Sequence, residues 1–125
     1  MATATLTAAN FEQTVSENDI VLVDFWAGWC QPCRMFAPIF EAASALHPDL
    51  VFGKVDTEAE RELAAAAHIT SIPTLMVFRE GILVYAQPGA MPAAPLEELI
   101  GAVRAADMDA VRAEMAEQAG SETAS

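Results

Sequence analysis

The chain has 125 residues, 54% of them hydrophobic, which suffices for one domain with one core and falls short of two ordinary ones. Its 18 acidic residues against 6 basic ones give a net charge of −12, which repels phosphate backbones and anionic lipid surfaces and excludes nucleic acid and the membrane as expected partners. The N-terminal segment has no basic residue, and no apolar run approaches the roughly 18 to 20 residues that a membrane span needs, so the reading is a soluble cytoplasmic protein.

In chain order, "TATLT" reads as a weak first strand, and Thr7 as the cap of a short helix running through Val15. "DIVLVDFWA", Asp19 to Ala27, is an aliphatic and aromatic run with one acid inside it, the pattern of a central strand buried on both faces. From Cys30 to Leu46 the residues Phe36, Ile39, Phe40, Ala43 and Leu46 recur at intervals of three or four, which predicts a helix with one apolar stripe. Pro32 suits the first turn of that helix, whereas Pro38 removes a backbone hydrogen bond within it and predicts a kink. "LVFGKV" is a further strand, and "TEAERELAAAAHI" a helix that Thr57 and Glu60 would close with a capping box. "PTLMVFREGILVYAQPG" predicts an antiparallel hairpin turning at Glu80-Gly81, and "APLEELIGAVRAA" a helix with Leu96, Leu99, Ile100 and Val103 on one face. The order β-α-β-α-β-α-β-β-α places an α/β domain in residues 1–107, with a mixed sheet between helices. Residues 108–125, rich in Ala, Glu and Ser, read as a fraying helical or disordered tail.

The only two cysteines stand in "WCQPC", as Cys30 and Cys33. A tetrahedral zinc site would need His47 and His68 as further ligands, but these lie far wider apart than the usual three to five residues and a strand separates them. A disulfide across so small a loop adds little stability, because the loop is already restricted in the unfolded chain. The geometry nevertheless permits one, since residues i and i+3 of a helical turn lie roughly 5 to 6 Å apart. A reactive pair remains. Cys30, between a buried strand and a helix N-terminus, meets unpaired N–H groups and the positive end of the helix dipole, both of which favour its thiolate. That makes Cys30 the expected nucleophile and Cys33, one turn further in, the resolving cysteine.

These residues resemble the thioredoxin family over roughly Thr7 to Ala106: "VLVDFWAGWCQPCRMFAP", then "SIPT" with Pro73, then "REG" and "QPGA" in the family's order. The stretch "KVDTEAEREL" is similar to the second bacterial thioredoxin type, although the sequence has no counterpart of that type's N-terminal zinc segment. The resemblance implies a five-stranded mixed sheet in the order 1-3-2-4-5, flanked by four helices. It also implies a thiol-disulfide oxidoreductase that reduces client proteins through a mixed disulfide on Cys30, resolved by Cys33.

Carried over by position, Asp24 matches the family's buried aspartate, an acceptor for the Cys33 proton, and Lys54 its partner, which tunes Asp24. Ile72-Pro73 matches the family's cis-proline bond, where the Ile72 backbone would pair with an extended client. Trp29, Gln31, Pro32, Ile72, Pro73, Gly89 and Ala90 would contact that client, whereas Trp26 reads as packing. The family implies no bound cofactor, recharging by a flavoprotein thioredoxin reductase that uses NADPH, and a monomer. Its clients are of the peroxiredoxin, methionine sulfoxide reductase and ribonucleotide reductase types. Gln31 stands where the family usually has glycine; residues between the cysteines tune the thiolate and the disulfide, so Gln31 leaves an oxidant or isomerase open as an alternative. A binding module with dispensable cysteines is the other.

Overall fold

The computed structural model describes residues 2–124; Met1 and Ser125, the outer ends of the two expected segments, lie outside the described residues. In chain order the elements are β1 (Thr3–Thr5), α1 (Phe11–Glu17), β2 (Ile20–Trp26), α2 (Gln31–Leu46), β3 (Val51–Asp56), α3 (Arg61–Ala66), β4 (Thr74–Arg79), β5 (Ile82–Pro88), α4 (Ala93–Ala105) and α5 (Met108–Ala124). The strands form a mixed sheet in the expected order β1-β3-β2-β4-β5. The β1, β3 and β2 strands run parallel, β4 runs antiparallel to β2, and β5 returns antiparallel to β4.

Alternation along β2 divides the core into two layers, because successive side chains of a strand point to opposite faces. Ile20 and Leu22 pack with Phe36, Phe40 and Ala43 of α2 and with Leu96, Ile100 and Val103 of α4. Val21, Val23 and Phe25 pack on the other face with Val15 of α1, and Leu63 of α3 lies against them. Burying a phenylalanine such as Phe36 or Phe40, each with no exposed surface, stabilises the fold by about 1.5–3 kcal/mol. The same period of two carries Asp24 and Trp26 onto the α2 face, beneath the start of that helix.

Local expectations fare unevenly. The hairpin turns where expected, with Glu80 and Gly81 both at positive φ, 51° and 79°, as a two-residue hairpin turn requires. The capping box does not form, and α3 is shorter than its apolar pattern. The Thr57 hydroxyl instead donates to the Trp26 carbonyl at 3.0 Å, and Asp56 takes over the turn by accepting the N–H groups of Glu58 and Ala59. At its far end α3 stops at His68, whose φ of 58° lets the Ile69 N–H reach back to the Ala64 carbonyl, a Schellman closure.

Five helices flank the sheet among the described residues, one more than the four expected. The additional one, α5, follows from Asp107, whose carboxylate accepts the Ala110 N–H at 3.1 Å as a helix cap does, and from Met108, which is 5% exposed. Arg112 then ties α5 to the hairpin through Glu80 at 2.7 Å. Arg79 of β4 closes α4: one guanidinium nitrogen donates to the carbonyls of Val103, Arg104 and Ala106 at 2.7, 3.1 and 2.9 Å.

Candidate active site

Where β2 ends, the chain turns at once into α2, and the turn is held by the Cys30 N–H donating to the Ala27 carbonyl at 3.2 Å. Cys30 is the N-cap of α2 in an extended backbone conformation, and its sulfur accepts the Cys33 N–H at 3.2 Å. Sulfur here does what a serine or aspartate oxygen does at other helix starts, satisfying one of the orphan N–H groups. Pro32, with no N–H to satisfy, stands within that first turn without loss. Cys30 and Cys33 lie at disulfide-bonding distance, with Cα atoms 5.2 Å apart. Exposure barely separates the two, at 4% and 2%. Access separates them better, because Cys30 lines a surface cavity and Cys33 is not among its lining residues.

Asp24 has no exposed surface, and neither of its carboxylate oxygens has a hydrogen-bond partner among the described residues. Its nearest counter-charge is the Lys54 ammonium at 3.7 Å, an ion pair beyond hydrogen-bonding reach. Register produces the pair, since Asp24 and Lys54 are Cα partners across the parallel β2–β3 ladder. Loss of solvent pushes the Asp24 carboxyl up to about 6, and the attraction of Lys54 only partly offsets it. The Lys54 ammonium also lies 5.2 Å from the centroid of the Trp26 ring. Trp26 packs against the layer formed by Ala27, Cys30 and Cys33, which fits the packing role read for it.

On the other side of the cysteines the Ile72–Pro73 peptide is cis, and the Ile72 carbonyl oxygen is 3.7 Å from the Cys30 sulfur. The groove expected from sequence divides. Trp29, Gln31, Pro32 and Ile72 line a cavity of about 630 Å³ with Cys30, whereas Pro73, Gly89 and Ala90 are not among its lining residues. Gly89, at a φ of 107°, donates its N–H to the Pro73 carbonyl at 2.7 Å, which ties the end of β5 to the start of β4. The cavity's other wall comes from residues that the sequence did not single out as site residues: Thr57, Glu58, Arg61, Ile69, Thr70 and Ser71.

No group of three or more His, Cys, Asp and Glu able to hold a metal ion occurs among the described residues. His47 caps the end of α2 and contacts Glu97 at 2.7 Å and Arg104 at 3.1 Å. Among the described residues no helix is long and apolar enough to cross a membrane.

The Thioredoxin family model matches residues 2–102. A thioredoxin 2 candidate of Streptomyces coelicolor is 58% identical over 117 residues, covering 94% of this chain and 87% of that one. The thioredoxin of Alicyclobacillus acidocaldarius is 44% identical over 97 residues, covering 77% of this chain and 92% of its own. Among solved structures, the oxidised thioredoxin of Plasmodium falciparum superposes with a TM-score of 0.71 at 35% identity, covering 79% of this chain and 95% of that one. The chain therefore belongs to the thioredoxin family, whose members are disulfide reductases, and it carries that family's redox-active cysteine pair.

Proposed function

We propose that the protein reduces disulfide bonds of client proteins in two exchange steps. The observation that carries this is the Cys33 N–H donating to the Cys30 sulfur at the start of α2, on the edge of an open cavity. That N–H and the helix dipole lower the energy of a Cys30 thiolate more than that of the thiol. The thiolate attacks one sulfur of the client disulfide. The client S–S bond breaks, a Cys30–client disulfide forms, and the other client sulfur leaves as a thiolate and takes up a proton. Cys33 then gives its proton to the Asp24 carboxylate, directly or through water, and attacks the Cys30 sulfur. The Cys30–Cys33 disulfide closes and the second client thiolate departs, so two electrons pass from the dithiol to the client.

Asp24 suits the acceptor role because a carboxyl at about 6 is about nine-tenths ionised at pH 7, yet basic enough to hold a proton briefly. Lys54 tunes it by limiting the upward shift. In this reading Trp29, Gln31, Pro32 and Ile72 hold the client from the cavity side, and Pro73, Gly89 and Ala90 from the other. No cofactor is bound; a flavoprotein thioredoxin reductase restores the dithiol with electrons from NADPH. Peroxiredoxins, methionine sulfoxide reductases and ribonucleotide reductases are the client types proposed. A monomer acting in the reducing cytoplasm completes the proposal.

The test is covalent trapping. Incubated with a disulfide-containing protein, the Cys33→Ser variant should accumulate a mixed disulfide at Cys30, detected by non-reducing gel and peptide mass, and Cys30→Ser should form none. Client reduction that survives Cys30→Ser would refute the scheme.

A further inference from the structure

Five of the six basic side chains have a carboxylate within ion-pair distance: Lys54 has Asp24, Arg61 has Glu58, Arg79 has Asp19, Arg104 has Asp49, and Arg112 has Glu80 and Asp109. Arg34 alone has none among the described residues, in a chain of net charge −12. It is exposed in the first turn of α2, next in sequence to Cys33, and its backbone N–H donates to the Cys30 carbonyl at 3.2 Å. Its side chain is anchored: Nε donates to the Gly28 carbonyl at 3.1 Å. That single bond holds the guanidinium against the loop leading into Cys30 and leaves both terminal nitrogens as free donors. Trp29, in the same loop, is 67% exposed.

An anchored, uncompensated guanidinium held on the loop that leads into Cys30, a loop that also carries an exposed aromatic ring, is a binding element with a defined chemistry. A guanidinium takes a carboxylate through two parallel N–H donors. We propose that Arg34 is a specificity-determining residue, which binds an aspartate or glutamate of the client segment close to the disulfide being reduced. The inference rests on the reductase reading above. The chain's overall negative charge does not cancel it, because at physiological salt exposed charges beyond about 8 Å are largely screened, and contact is governed by the nearest uncompensated group. The cation on the cavity's far wall, Arg61, already has Glu58 at 3.7 Å, so that wall offers no comparable excess of positive charge.

The experiment measures kcat/KM for a set of disulfide-linked peptides identical except for Glu or Lys at one, two or three residues on either side of the attacked cysteine. The Glu-to-Lys ratio within one protein cancels any change in Cys30 reactivity. At the best position the unaltered protein should favour Glu by about two- to fivefold, the range of an exposed ion pair. Arg34→Lys should retain a preference for Glu, Arg34→Gln should reduce the ratio to one or below, and Arg34→Glu should invert it. A preference for Lys at every position, or an equal ratio in the unaltered and Arg34→Glu proteins, would overturn the role of Arg34 while leaving the reductase reading intact. Reduction of none of the peptides by the unaltered protein would overturn both.

Discussion

Asp24 and Lys54 face each other across the parallel β2–β3 ladder, their charged groups 3.7 Å apart, and no hydrogen bond from the described residues reaches the Asp24 carboxylate. A buried acid in that position is a cost to the folded state whenever it is ionised, and the fold retains it directly under the cysteine-bearing helix. With Asp24 as the proposed proton acceptor, stability and activity are coupled at one residue, in opposite directions.

The coupling has a sign. Asp24 has a carboxyl at about 6 in the folded chain against an ordinary value of 3.8, so the folded state binds this proton more tightly. Its contribution is favourable when protonated, and stability is lost as pH rises from about 4 to about 6, by about 3 kcal/mol in all. Asp24→Asn removes that dependence. Denaturant unfolding of the oxidised proteins should show the variant gaining on the parent by about 2 kcal/mol between pH 4 and pH 7.5, and a difference independent of pH would be inconsistent with the buried, raised carboxyl. Rapid-mixing kinetics should show slowed resolution of the mixed disulfide in the same variant, with initial attack less affected.

Cys30 and Cys33 are almost equally buried, so their reactivities must be separated by electrostatics and access. Reduced protein treated with limiting iodoacetamide near pH 7 should be alkylated at Cys30 about tenfold or more faster than at Cys33, as peptide mass spectrometry would report. Equal rates would contradict the assigned order of attack.

Arg79 joins the sheet to the end of α4 through three carbonyls, and its register partner on β2 is Ile20, at the end of the strand remote from the cysteines. Arg79→Met should cost about 1–3 kcal/mol in unfolding free energy, because several carbonyls lose a charged donor at once. Disulfide reduction by the folded variant should proceed at the parental rate. A change in rate without a change in stability would mean that this end of the fold communicates with the site.

The parts of the molecule legible in the sequence are those whose signals are local and repeated. The run around Asp24 identified a buried central strand, the spacing of Phe36, Phe40 and Ala43 identified α2, and Glu80-Gly81 identified the hairpin turn. Local rules failed where a tertiary partner competed. Thr57 and Glu60 satisfy the capping-box pattern, yet the Thr57 hydroxyl finds the Trp26 carbonyl of a neighbouring strand. Helix α5 is harder to read because one of its anchors is the long-range pair of Arg112 with Glu80, which no local pattern shows.

The far wall of the cavity was missed for a topological reason. Trp26 and Asp56 are register partners at the carboxyl ends of β2 and β3, so the loops after both strands open on one edge of the sheet. Ligand sites of open α/β sheets gather there. Applied to the expected strand order, that rule would have brought Thr57, Glu58 and Arg61 into the site alongside Trp29.

The most direct test of the central claim is a redox titration of the Cys30–Cys33 pair in graded dithiol buffers, followed by the fluorescence of Trp26 and Trp29, the only two tryptophans. A reductase should show a midpoint of about −270 mV, the reference value for thioredoxins. A midpoint between roughly −180 and −120 mV would contradict the reductase reading and assign the same fold and cysteines to an isomerase or oxidant.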